Sequence, residues 1–123
     1  MSLESTDAGT QPRPAERPRL EAHTLVLLVR PAGAPAISDD EAEVLQQQHL
    51  GFLQRQRDAG VMAAAGPFRD QPDERWRGLC LYLVDPEQAR ELALGDPAVK
   101  AGRLGIEVFT WYTRPGELGA GPR

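Results

Sequence analysis

The chain has 123 residues, a formal net charge of −4, one cysteine and two histidines, and 41% of its residues are hydrophobic. That length and apolar content supply one ordinary core, and the acidic balance speaks against a surface built to grip the phosphate backbone of nucleic acid. A single cysteine excludes an internal disulfide, and the few Cys and His residues show no zinc-site spacing, so neither a metal nor a cofactor is expected.

Residues 1 to 22 hold Pro12, Pro14 and Pro18 among Ser, Thr, Glu and Arg with almost no large apolar residue, which predicts a disordered tail. No apolar run follows a basic segment there, so the stretch does not read as a secretory signal and a cytoplasmic location is expected. HTLVLLVR, His23 to Arg30, is rich in β-branched and aliphatic residues and is halted by Pro31, which predicts a first strand. Its run Leu25 to Val29 is the longest purely apolar one in the chain, far short of the roughly 20 residues that cross a bilayer, so no membrane partner is expected. After a loop with two prolines, Ser38 and Glu41 have capping-box spacing and open a helix from Asp39 to about Ala59. Its apolar side gathers Ala42, Leu45, His49, Phe52, Leu53 and Gln56, and Gly60 follows where a left-handed cap is expected.

VMAAAG, Val61 to Gly66, predicts a short strand closed by Pro67, although three alanines favour helix. A charged loop, FRDQPDERW, leads to a third strand in RGLCLYLV, Arg77 to Val84. Asp85, Pro86 and Gln88 open a short second helix that Gly95 ends, and GIEVFTWYT, Gly105 to Thr113, is an alternating fourth strand. Residues 114 to 123 repeat Gly and Pro without periodicity and predict a flexible tail, leaving one folded domain over residues 23 to 113.

The order β-α-β-β-α-β predicts an α+β fold of the ferredoxin-like kind, a four-stranded antiparallel sheet with both helices on one face. In the first strand Leu25, Leu27 and Val29 alternate with Val26 and Leu28, and in the third Leu79 and Leu81 alternate with Cys80 and Tyr82, so both faces are apolar. Helices cover one face only, and a bare apolar face of that size exceeds what soluble monomers expose. The economical cover is the same face of a second copy, so a homodimer through the open sheet face is expected, with the N-terminal tail as the rival cover.

HLGFLQ in the first helix, DAGVMAAAGPF across the turn into the second strand, and DPAVKAG before the fourth resemble three landmarks of the YciI-like (YCII-related) family, in the same order and at similar spacing. The resemblance spans nearly the whole folded domain and implies a dimeric α/β barrel with a His/Asp pair as active site, which falls on His49 and Asp96. It implies no fixed reaction; some relatives resemble small-molecule enzymes such as dehydrochlorinases of aromatic degradation. The long N-terminal tail and the charged loop from Arg69 to Arg77 depart from the plain family pattern.

Each site residue also has a purely structural explanation. His49 sits among Leu45, Phe52 and Leu53, where a hydrogen-bonded histidine at the edge of a core is as reasonable as a base. Asp96 precedes Pro97, the usual start of a short helix, so capping alone accounts for it unless one carboxylate oxygen stays open to the imidazole. Cys80, in mid-strand between leucines, reads as a buried inert thiol, and His23 as solvent-facing. Trp76, Trp111 and Tyr112 read as core or dimer packing, and Arg69, Arg75 and Arg77, interleaved with Asp70, Asp73 and Glu74, as a solvated loop. Two functions from different classes follow. One is a small-molecule enzyme with His49 as acid/base and Asp96 orienting it, of lyase, dehydrochlorinase or isomerase type. The other is a non-catalytic dimeric module that binds a metabolite or a protein.

Overall fold

Seven elements follow one another in a computed structural model that describes residues 19–119: β1 (Glu21–Val29), α1 (Asp39–Asp58), β2 (Met62–Pro67), β3 (Trp76–Tyr82), α2 (Pro86–Ala93), α3 (Pro97–Lys100) and β4 (Gly105–Thr113). Residues 1–18 and 120–123, which hold most of the expected tails, lie outside the described residues. The four strands form one antiparallel sheet in the order β2-β3-β1-β4. Each helical connection therefore returns the chain to the sheet one strand away, with β3 between β1 and β2 and β1 between β3 and β4. That is the ferredoxin-like arrangement expected from the element order.

Local chemistry explains where the elements begin and end. Ser38 Oγ accepts from the Glu41 N–H at 3.1 Å while Glu41 Oε1 accepts from the Ser38 N–H at 2.9 Å, so the capping box of α1 is closed in both directions. Gly60, at φ 80°, occupies the left-handed region just beyond that helix. Asp85 Oδ1 accepts from the Gln88 N–H at 2.8 Å and Pro86 fills the first turn of α2. β2 is an edge strand, which explains why it can end on Pro67. Its alanines pair with β3, with a register slip between Met62 and Ala64, and β3 ends at Tyr82, short of the expected Val84. The single-turn α3 raises the helix count from the expected two to three.

Register assigns the faces. Val26, Leu28, Met62, Cys80 and Tyr82 from the sheet pack with Ala89 and Ala93 of α2, Ala98 of α3 and Leu104 in one buried cluster, with Leu45 and Leu53 of α1 against it. The opposite face carries the cross-strand pairs Leu25↔Leu81 and Leu27↔Leu79, and on β4 Phe109 and Trp111 are 47% and 43% exposed. His23, expected to face solvent, is partly exposed and meets Trp111 at a tilt with ring centroids 5.9 Å apart. Thr24, buried, satisfies its hydroxyl by donating to the Val84 carbonyl at 2.8 Å.

The elements from Ala22 to Trp111 form one compact unit, and the described ends of the chain belong to a second, small one. In the latter, two turns run from Arg114 to Gly119, with Gly116 and Gly119 at positive φ, and the Gly116 N–H donates to Glu21 Oε1 at 3.3 Å. No helix among the described residues is long and apolar enough to cross a membrane.

Candidate active site

On α1, the positions not fully exposed between Ala42 and Gln56 are Ala42, Leu45, His49, Gly51, Phe52, Leu53 and Gln56, so the helix turns a narrow stripe toward the sheet. His49 and Phe52 are the two residues of that stripe that are buried. Packing thus delivers an imidazole into the space between α1 and the sheet. Forty-seven residues later in sequence, Asp96 meets it: His49 Nδ1 lies 2.7 Å from Asp96 Oδ2, with Asp96 only 2% exposed. The other carboxylate oxygen, Oδ1, accepts from the Ala98 N–H at 2.9 Å and caps α3. One side chain therefore performs both tasks that the sequence left as alternatives, because its two oxygens are divided between them.

An ionised carboxylate only accepts, so opposite one Nδ1 would carry the proton, and a neutral ring would then keep its lone pair on Nε2. Nε2 has no hydrogen-bond partner among the described residues. The ring forms part of the wall of a cavity of about 360 Å³ between α1 and the strands, a size within the range of small-ligand sites. Leu45, Leu50 and Leu53 of α1, Ile37 and Leu104 supply an apolar wall. Gly66 and Gly78 bring β2 and β3 close beneath it; a Cβ on Gly78 would stand 2.9 Å from the Gly66 carbonyl oxygen.

Three arginines, Arg30, Arg77 and Arg103, are among the residues that line the same cavity. They come from the end of β1, the start of β3 and the approach to β4, which antiparallel pairing places at one end of the sheet. Burial, reinforced by the neighbouring charges of Arg103 and Arg77, lowers the Arg30 guanidinium below its ordinary value. Arg77, exposed as the solvated-loop reading expected and bonded through Nη1 to the Glu74 carbonyl at 3.1 Å, also lines this cavity. Arg75 belongs to that loop: it pairs with Asp73 through contacts of 2.8 and 3.1 Å and holds that carboxyl below its usual range. Arg30 and Arg103 were not singled out by the sequence, and only the strand order brings them to Arg77.

Cys80 also lines the cavity, but burial, with the Asp96 carboxylate adding to it, pushes its thiol up to about 12, as fits an inert core residue. Trp76 and Trp111 do not line it. Among the described residues no group of three His, Cys, Asp or Glu side chains forms a metal-binding cluster.

Residues 24–112 match the profile of the YCII-related domain, which covers well over half of the chain. The chain belongs to the YCII-related domain family. No curated protein matches the sequence. Among solved structures, this YCII-related protein is similar to the 5-chloro-2-hydroxyhydroquinone dehydrochlorinase of Burkholderia phenoliruptrix AC1100 in complex with 2,5-dihydroxybenzoquinone. The TM-score is 0.50 at 18% identity, over 72% of this chain and 92% of that one. At that identity the likeness establishes the shared fold of the YCII-related domain, and the chemistry must be argued from its own residues.

Proposed function

We propose that this YCII-related domain is a small-molecule enzyme of lyase, dehydrochlorinase or isomerase type, with His49 as general acid/base and Asp96 as its positioning partner. The observation that carries the reading is the 2.7 Å contact between the nearly inaccessible Asp96 carboxylate and Nδ1 of His49, a residue that lines a cavity. With Nδ1–H committed to Asp96, Nε2 is the nitrogen free to take a proton from a bound substrate, and the carboxylate stabilises the imidazolium that results. In an elimination the pair of electrons left by that proton forms a double bond as a leaving group such as chloride departs with its own pair. The step is redox-neutral and needs no electron acceptor. In an isomerisation the imidazolium returns the proton to another carbon of the same substrate.

The fold shared with a dehydrochlorinase supports elimination as the first chemistry to test. Chloride release from 5-chloro-2-hydroxyhydroquinone and solvent-deuterium uptake by enolisable carboxylic acids, followed in parallel, cover both branches. Loss of about 10²- to 10⁴-fold in rate on His49→Gln, with the fold retained, is the expected result. Turnover that is indifferent to His49→Gln would overturn the reading.

The domain acts, in this proposal, as a homodimer joined through the open sheet face that carries Leu25, Leu27, Leu79 and Leu81. Exposed Phe109 and Trp111 on the same sheet favour it, since a paired face would remove them from water. The cytoplasm is the compartment that suits its single reduced cysteine.

A further inference from the structure

The His49 cavity collects three positive charges with no negative one to balance them. Arg30, Arg77 and Arg103 line it, no Asp or Glu does, and the chain as a whole carries −4. Asp73 is engaged with Arg75, and Asp96 with His49 and the Ala98 N–H. None of the three arginines forms an ion pair among the described residues.

Their hydrogen bonds anchor them without neutralising them. Arg30 donates Nε–H to the Arg103 carbonyl at 2.8 Å, Arg103 donates from Nη1 to the Pro35 carbonyl at 2.8 Å, and Arg77 donates from Nη1 to the Glu74 carbonyl at 3.1 Å. One donor of each fork is fixed by a carbonyl, and the remaining N–H groups meet no acceptor among the described residues. Guanidinium forks held in this way are suited to planar oxyanions, which they bind through paired N–H···O contacts. Gathering like charges is unfavourable in the empty protein, and an anion that enters relieves it. The remaining wall is apolar, with Leu45, Leu53, Ile37 and Leu104 offering surface to a hydrocarbon skeleton.

We propose that the cavity takes a small organic anion, its carboxylate or enolate oxygens held by Arg30, Arg77 and Arg103 and its carbon skeleton lying along the α1 leucines toward His49. This rests on the reading of the cavity as the substrate site, and it names the substrate class that the acid/base pair serves. It also gives the arginines a second task, since charge that develops on a carbonyl oxygen when a neighbouring carbon loses its proton falls within the field of the same groups.

The full-length protein, labelled with ¹⁵N, is titrated with benzoate and with benzamide, which share ring and shape and differ in charge. The expected result is saturable shifts of the arginine Nε–H signals with benzoate and an affinity at least about tenfold above that for benzamide. Arg77→Gln, at an exposed position, and Arg30→Gln each weaken benzoate by about tenfold and leave benzamide unchanged. Equal affinity for the two probes, or no saturable shift at any of the three arginines, overturns the anion site. Charge-blind binding together with His49-dependent turnover would remove the anion site and keep the acid/base reading, whereas charge-selective binding with turnover indifferent to His49→Gln would do the reverse.

Discussion

Replacing Asp96 by alanine removes two bonds at once, and their separate contributions can be worked out from the geometry. Oδ1 caps α3 through the Ala98 N–H at 2.9 Å, and losing a cap of this type costs about 1 kcal/mol. Oδ2 meets His49 Nδ1 at 2.7 Å, and a buried hydrogen bond to a charged group contributes about 1.5 to 3 kcal/mol. Asp96→Ala is therefore expected to lose roughly 2.5 to 4 kcal/mol, a large share of the roughly 5 to 15 kcal/mol typical of a domain, with a fall in Tm of at least about 10 °C. Asp96→Asn keeps a carbonyl for the cap but presents no charged acceptor to the ring, so it loses only the second part. A double-mutant cycle with His49→Ala, measured by urea denaturation, isolates the pair, and a coupling of about 1 to 3 kcal/mol is expected. A coupling below about 0.5 kcal/mol would refute the reasoning, because the two residues would then act as independent structural groups.

The Cys80 thiol, raised from 9.0 to about 12 in the folded chain, stays protonated there while the unfolded chain releases its proton. The folded state thus holds more protons between those values, its Cys80-linked stability is full below pH 9 and falls as pH rises toward 12, and Cys80→Ala should flatten part of that alkaline decline in denaturation midpoints; an unchanged slope would count against it. Gly78→Ala drives a Cβ to 2.9 Å from the Gly66 carbonyl oxygen and should cost about 1 to 3 kcal/mol, whereas Gly66→Ala meets nothing within 4 Å and should be tolerated, a contrast that thermal melts of the two variants test directly. Light scattering should give about twice the 13.5 kDa chain mass, and a charge at Leu79 on the open face should return the protein to a monomer; a monomeric parent chain would contradict the proposed dimer.

What the sequence made legible were features with a local signature. Ser38 and Glu41 marked the start of α1, Asp85 and Pro86 that of α2, and the alternating run from Gly105 to Thr113 is β4 itself. His49 could be placed on the inner face of α1 because its neighbours at helical spacing are apolar, and Asp96 could be recognised as a cap because Pro97 follows it. The contact between them spans 47 positions and follows from no spacing. It was reached only through family resemblance and awaited the fold. Arg77 was less legible: charge interleaving read it, with Arg69 and Arg75, as part of a solvated loop, and while Arg75 pairs with Asp73 there, Arg77 also lines the cavity. The clue lay in topology, since the end of β1 and the starts of β3 and β4 must coincide in this strand order. The alanines of β2 were ambiguous for a related reason, because their strand state is dictated by pairing with β3 and overrides their helical preference.

The proposed acid/base role requires a neutral His49 ring that holds its proton on Nδ1, against Asp96, and leaves Nε2 for a substrate. Long-range ¹H–¹⁵N correlation of the imidazole reads this directly, since a protonated and an unprotonated ring nitrogen have distinct shifts. The expected spectrum of the neutral ring shows a protonated Nδ1 and an unprotonated Nε2, with Asp96→Asn shifting the balance between the two nitrogens. A ring protonated on Nε2, or one whose spectrum is the same with and without the Asp96 carboxylate, would contradict it.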